Sequence, residues 1–296
     1  MKANKMKKYP WIILLAFCIS PAFAQTDTTY IQPYAQKFNL QVYTARNFIS
    51  IHEQSQDYLP NNPMSLGVGI AIKNSILSLS YGFNISNSLK KELPQTESFD
   101  FQLHHYGKKY MLDLYLQNYK GFYKDADEVK FYPEMQILQI GAEGTYIFDS
   151  KRFSARAAFG QSERQVKPAG SWLIGTGAYF FKAKTGITDL NDWQIGVNVG
   201  YTYSYVFNKN WFLSGEITGS LYLNHHIIRP QPIQLSANSN GLVRFSAGYN
   251  TNDWCVSMLL LDNIHFFRND LRFNSGSLRL VYVRRFEEIP FLGKNK

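Results

Sequence analysis

The sequence predicts an all-β protein, a transmembrane antiparallel β-barrel of about twelve strands with ten to fourteen as the range. Three observations predict it. Apolar and polar residues alternate with period two along one segment after another. Many of these segments exceed the five or six residues usual for soluble strands, and their apolar faces end on aromatic rings. Tight turns also interleave with longer loops, the asymmetry of short periplasmic turns and longer outer loops. Composition agrees. Aromatics make up 16% of the chain, with 20 Tyr and 22 Phe, yet no segment after the first 24 residues has the apolar run of a membrane helix.

Residues 1–24 read as a Sec export signal and are set apart from the fold. Lys2, Lys5, Lys7 and Lys8 form a positive start, Trp11 to Ser20 a short apolar core, and Ala22-Phe23-Ala24 a small-x-small pattern that places cleavage after Ala24. Lipidation at Cys18 is disfavoured because bulky Phe17 stands where a small residue is wanted. Loss of the four leader lysines takes the formal charge from +9 to +5, leaving 27 basic residues against 22 acidic ones. Nearly half of the basic excess therefore belongs to targeting, and a nucleic-acid partner loses its support. One cysteine, Cys255, remains in the mature chain, so no internal disulfide is expected.

A first strand is expected near 38–50. In 64–72, Leu66, Val68, Ile70 and Ile72 alternate with Ser65, Gly67, Gly69 and Ala71, and after a turn at 73–75 the pattern continues through Leu77, Leu79, Tyr81 and Phe83. Phe99, Phe101 and Leu103 oppose Asp100, Gln102 and His104; past Gly107, Tyr110, Leu112, Leu114 and Leu116 oppose Met111, Asp113, Tyr115 and Gln117. Leu138, Ile140, Ala142, Tyr146 and Phe148 follow, and then Phe153, Ala155 and Ala157 against Ser154 and Arg156. The longest pattern is WQIGVNVGYTYSYVF at 193–207, where every second residue from Trp193 to Phe207 is apolar or aromatic. Strands led by Trp211, Val243 and Trp254 come next, and the last runs over about 275–286. Longer loops are expected near 52–63, 86–97, 119–134 and 225–240, and two further long connections at 161–170 and 183–192.

Thirteen candidates result, and a single-chain barrel wants an even number. One candidate between 150 and 192 is therefore read as a loop element or as part of a neighbour. Unpaired backbone N–H and C=O groups cost several kcal/mol each in hydrocarbon, which obliges such a sheet to close on itself. Residues 25–286 are then a single barrel domain, and 287–296 a short periplasmic tail.

Four stretches occur together in order: DTTYIQPY at 27–34, YLPNNPMSLGVGI at 58–70, YKGFY at 119–123 and ERQVKPAGSW at 163–172. As a set they resemble the Bacteroidetes family called domain of unknown function 4421, whose members are outer-membrane β-barrel proteins. The resemblance covers nearly all of the mature chain and implies the fold and the compartment. It implies no activity and no catalytic residues.

The residues most informative about function are charges on the polar face: Asp100, Asp113, Glu143, Arg156, Glu216, Arg244 and Arg279. In a barrel these enter the lumen. They serve either as a paired network that fills and rigidifies it or as a pore lining that sets selectivity. Catalysis has little to rest on, because no G-x-S-x-G occurs. His104-His105 flanks a turn and His225-His226 opens a loop; adjacent strand residues point to opposite faces, so neither pair makes a metal site. Ser162 to Lys167 reads as a solvated loop or strand extension, or alternatively as a constriction folding into the lumen. YKGFY reads as an interfacial aromatic cluster at a loop base, or alternatively as a ligand contact. Mid-strand glycines such as Gly67 and Gly196 read as relief of crowding or as points of curvature.

The expectation is a non-enzymatic outer-membrane barrel without cofactor or metal. Its role is a narrow channel or small-solute transporter with a charged lumen; the alternative is a plugged structural or partner-docking barrel in secretion or surface assembly, and a distant third is an enzyme acting on envelope lipid. Expected partners are outer-membrane lipid and lipopolysaccharide, the barrel-assembly machinery, and a periplasmic or surface protein of unknown identity.

Overall fold

The computed structural model describes residues 26–287 except 37, 62–63, 73–74, 84–93, 125–128, 186–187, 227–233 and 268–269. Residues 1–24, expected to be an export signal, and nearly all of the expected tail at 287–296 lie outside the described residues. Twelve strands form the wall: β1 (Phe38–Glu53), β2 (Met64–Ile72), β3 (Ser75–Phe83), β4 (Glu97–Tyr106), β5 (Tyr110–Lys124), β6 (Lys130–Ile147), β7 (Ala169–Lys184), β8 (Asp189–Phe207), β9 (Trp211–His226), β10 (Gln234–Asn250), β11 (Trp254–Phe266) and β12 (Arg272–Phe286). Each pairs antiparallel with the next, and β12 pairs with β1 over Arg272–Phe286 and Phe38–His52, which closes the ring.

Burial is inverted relative to a soluble protein. On β8, Ile195 is 63% exposed while its neighbours Gln194 and Asn198 are 4% and 0% exposed. Leu221, Leu223, Ile217 and Leu280 likewise face outward, and Thr202, Ser204, Ser214 and Ser246 are buried. An apolar exterior around a polar interior is what a closed sheet in hydrocarbon requires. Trp172 packs on Tyr201 and Phe180 on Trp193, with ring centroids 5.2 and 4.9 Å apart, towards opposite ends of the outer face. These rings suit the two water–lipid interfaces.

Inside, glycines make room for tyrosines. Tyr43, Tyr179 and Tyr222 stand directly opposite Gly67, Gly141 and Gly196 in the ladder. A Cβ on Gly67 would lie 2.0 Å from the Tyr43 ring, and one on Gly141 2.1 Å from Tyr179. The expectation that mid-strand glycines relieve crowding holds here: each ring lies flat on the wall over its glycine.

The wall narrows toward the loop end. Strands β2, β3 and β4 are short, with 9, 9 and 10 residues, and stop part way up. Above them the short strand Gln56–Pro60 bridges β1 and β5, pairing with Ile51–Glu53 on one side and Phe122–Lys124 on the other. The ring thus has twelve members at the turn end and ten at the loop end. The switch of partner on β5 occurs at a bulge between Lys120 and Phe122. Gly121 there has φ +86°, and a Cβ would meet the Phe131 ring at 2.8 Å, so glycine is required twice over. The Thr96 hydroxyl donates to the Gly121 carbonyl at 2.6 Å and accepts from the Asn61 amide at 2.8 Å, pinning this corner.

This corrects the reading of YKGFY. Tyr119 and Phe122 are buried inside the narrowed ring, not set at the lipid interface, and Tyr123 is buried as well. The loops are also shorter than expected, because β5 and β6 leave only 125–129 between them, and β7 and β8 only 185–188. Strands that extend beyond the bilayer face water on their outer side, so their alternation of apolar with polar residues fades.

The surplus strand candidate is resolved as well. Phe153 to Gln161 form no strand; they are buried throughout and include a π-helical turn at Arg156–Gly160. Glu163–Gln165 follows and pairs with Ile31–Pro33, outside the wall. Residues 148–168 therefore fold into the turn end of the barrel, with the N-terminal segment alongside.

Candidate functional site

The interior is layered. At the turn end the plug is tied to the wall by polar contacts. Arg285 Nε and Nη2 donate to the Gln161 carbonyl at 3.0 and 2.8 Å, and its Nη1 donates to the Thr251 carbonyl at 3.1 Å. The Arg285 guanidinium lies 3.8 Å from the centre of the Tyr34 ring, which joins the N-terminal segment to the same anchor. Burial raises the Tyr34 hydroxyl above its ordinary pKa. Ser246 Oγ donates to the Ala158 carbonyl at 2.7 Å. Within the plug, Arg156 Nη1 meets Glu163 Oε1 at 2.7 Å, and Arg156 Nε donates to the Tyr106 carbonyl of the wall at 2.8 Å.

Above the plug lies an ionic layer. Arg244, 3% exposed, sits 3.7 Å from Asp113 Oδ2 and 3.5 Å from Glu216 Oε2, with its guanidinium 5.0 Å from the Phe159 ring centre of the plug. Asp113 Oδ1 is also 2.5 Å from His104 Nδ1, and His104 Nε2 is 3.1 Å from Gln102 Oε1. Gln102 carries the chain of contacts onward: its amide donates to Asp100 Oδ1 at 2.9 Å, and its oxygen accepts from Arg279 Nη2 at 3.3 Å. Glu143 stands outside this network, accepting from Tyr179 Oη at 2.6 Å and Asn198 Nδ2 at 2.7 Å.

Toward the loop end apolar side chains, among them Ile51, Phe122, Ile137, Tyr179, Phe181 and Phe273, fill the lumen together with buried polar ones such as Gln139, Asp192 and Asn224. Cavities of about 50, 20 and 10 Å³ lie among these layers and the plug. Each has room for a few waters at most.

The residues expected in the lumen are thus distributed as follows. Asp113, Glu216 and Arg244 form one cluster, and Asp100 and Arg279 join it through Gln102. Glu143 faces inward on its own, and Arg156 belongs to the plug, not to a strand. Sequence reasoning missed the roles of His104, Gln102 and Arg285. His104 shares a polar strand face with Asp100, a signal that was present; Arg285 gives none, since its partners, the Gln161 carbonyl of the plug and groups at the 250–252 turn, are far away in sequence. Ser162 to Lys167 is half-buried at the barrel mouth, with Gln165 buried and Lys167 exposed, and Glu163–Gln165 runs as a short strand against Ile31–Pro33. The side chains of His225 and His226 lie outside the described residues. Among the described residues, no cluster of three His, Cys, Asp or Glu has the arrangement to hold a metal ion.

Solved structures of similar fold include the translocator domain of the autotransporter NalP from Neisseria meningitidis, at 13% identity and TM-score 0.42, covering 88% of this chain and 90% of that one. OmpT of Vibrio cholerae matches at 8% identity and TM-score 0.32, covering 84% and 97%. The toluene transporter TbuX of Ralstonia pickettii matches at 7% identity and TM-score 0.33, covering 85% and 90%. Likeness at this level leaves the role to be argued from the residues of this chain. Among curated proteins, none matches the sequence. The family model for the domain of unknown function DUF4421 does match, over residues 25–286, and the chain belongs to that family.

Proposed function

We propose that this protein is a plugged outer-membrane barrel with a structural or partner-docking role, reaching the membrane after Sec export and cleavage near Ala24. One observation carries the reading: plug, ionic layer and a largely apolar layer succeed one another along the lumen, with cavities of about 50, 20 and 10 Å³ among them. A diffusion pore needs a continuous aqueous path, and side chains tied by hydrogen bonds stand across this one. The plugged mouth offers a surface to a periplasmic partner, with Lys108, Lys151, Arg152, Lys167 and Lys209 exposed around it. The outer wall contacts membrane lipid, lipopolysaccharide included.

A second reading, a gated passage for small ions, draws support from the loose pairing of Arg244, whose contacts to Asp113 and Glu216 are 3.7 and 3.5 Å long. Single-channel recording in a planar bilayer separates the two. The wild-type barrel is expected to stay electrically silent, and a variant with residues 150–166 replaced by a short linker is expected to conduct in discrete steps. Reproducible opening of the wild type would overturn the structural reading in favour of the gated passage.

A further inference from the structure

We propose that the cavity between the plug and the ionic layer binds a small inorganic anion. Its walls bring together Arg244, Arg279, His104 and Ser257 from the barrel with Phe159 and Gln161 from the plug, around a space of about 50 Å³. That is room for about three or four water-sized bodies. No carboxylate lines it. Asp113 and Glu216 turn toward Arg244 and lie behind the cavity wall.

A second observation concerns Arg279, which is 9% exposed. Among the described residues it has no carboxylate partner. Its Nε donates to Ser277 Oγ at 3.1 Å and its Nη2 to Gln102 Oε1 at 3.3 Å, while its guanidinium lies 5.1 Å from the Tyr43 ring centre. All of these partners are neutral. A buried guanidinium with only neutral partners is costly, and a counter-ion removes most of that cost. Asp100, reached through Gln102, lines the adjoining cavity of about 20 Å³ together with Arg279 but makes no ion pair with it among the described residues. An anion in the cavity would face Arg279 directly, share Arg244, and accept from the Ser257 hydroxyl. With Phe159 and Gln161 as part of its wall, the bound anion would also hold the plug in place.

The test uses the purified, folded wild-type protein. Its melting temperature is measured in sodium chloride, sodium bromide and sodium gluconate at equal ionic strength, and bromide-soaked crystals are examined for anomalous scattering. The expected results are higher melting in the halides than in gluconate, which is too large for the cavity, and a bromide peak between Arg244 and Arg279. Arg279→Met is expected to abolish both. Equal melting in all three salts, or bromide found only on surface lysines with water alone in the cavity, overturns the proposal. Should Arg279→Met fail to fold, the wild-type bromide map decides alone. A silent or a conducting barrel leaves this test unchanged, so it stands or falls separately from the role proposed above.

Discussion

Arg244 shows how much a single side chain carries when the lumen is closed. It is 3% exposed, lies 3.7 Å from Asp113 and 3.5 Å from Glu216, and sits under the Phe159 ring of the plug. Truncating it strands two carboxylates in a buried site. Breaking one partner out of a buried ion pair costs about 3–5 kcal/mol, because the remaining charge is left uncompensated. Arg244→Met is therefore expected to lower the urea midpoint of the folded barrel strongly, and Glu216→Gln to lower it much less, since Asp113 still balances the arginine. Equal midpoints for Arg244→Met and wild type would show that the ionic layer adds nothing to stability. The members of this layer were legible in the sequence wherever they sat on strands with clean alternation, as Asp113, Glu216 and Arg244 do. Arg156 was misplaced, although it does enter the lumen, because a plug residue and a strand residue can share a local pattern. Distances between strands far apart in sequence, such as Arg279 to Gln102, could not be read at all.

At the scale of the element, β8 and the plug are opposites. Along β8 the two faces meet lipid and lumen, so the period-two pattern of residues 193–207 states the orientation of each side chain, and the structure agrees with it residue by residue. A charge placed on the lipid face near the bilayer midplane costs about 2–4 kcal/mol. Val197→Arg, at a position 58% exposed on that face, is expected to destabilise the barrel by that amount in phospholipid vesicles, read from urea unfolding. A midpoint equal to wild type would mean that this face does not meet hydrocarbon. The plug obeys another rule. Phe153 to Gln161 are buried on every side, so no face is reserved for water or lipid, and periodicity carries no information about their conformation. YKGFY was opaque for a related reason. Its Gly121 marks a change of strand partner, and the partner, Gln56–Pro60, is set by a hairpin more than sixty residues earlier.

The whole molecule is a closed wall that tapers from twelve strands to ten around an interior filled in layers. The taper places the apolar layer where the ring is narrow and the plug where it is wide. Fewer side chains are needed to fill the narrow end, and a folded segment of chain is needed at the wide one. The polar interior is thus spent on fastening the plug: Arg285, Ser246, Asn250 and the Tyr106 carbonyl all bind it. Cys255 lies at this junction, fully buried, with its Sγ 3.7 Å from Gln161 Oε1. As the one cysteine of residues 25–296, it reports on closure without any engineering. The decisive measurement is the rate at which N-ethylmaleimide alkylates Cys255 in the folded, membrane-inserted protein at neutral pH, read by mass spectrometry beside the urea-unfolded chain. A fastened plug predicts an unfolded chain that labels fully, a folded barrel that does not label over hours, and faster labelling of Arg285→Ala. Labelling of the folded wild type at the unfolded rate would contradict closure, because it would mean that water and reagent pass freely where the plug is said to stand.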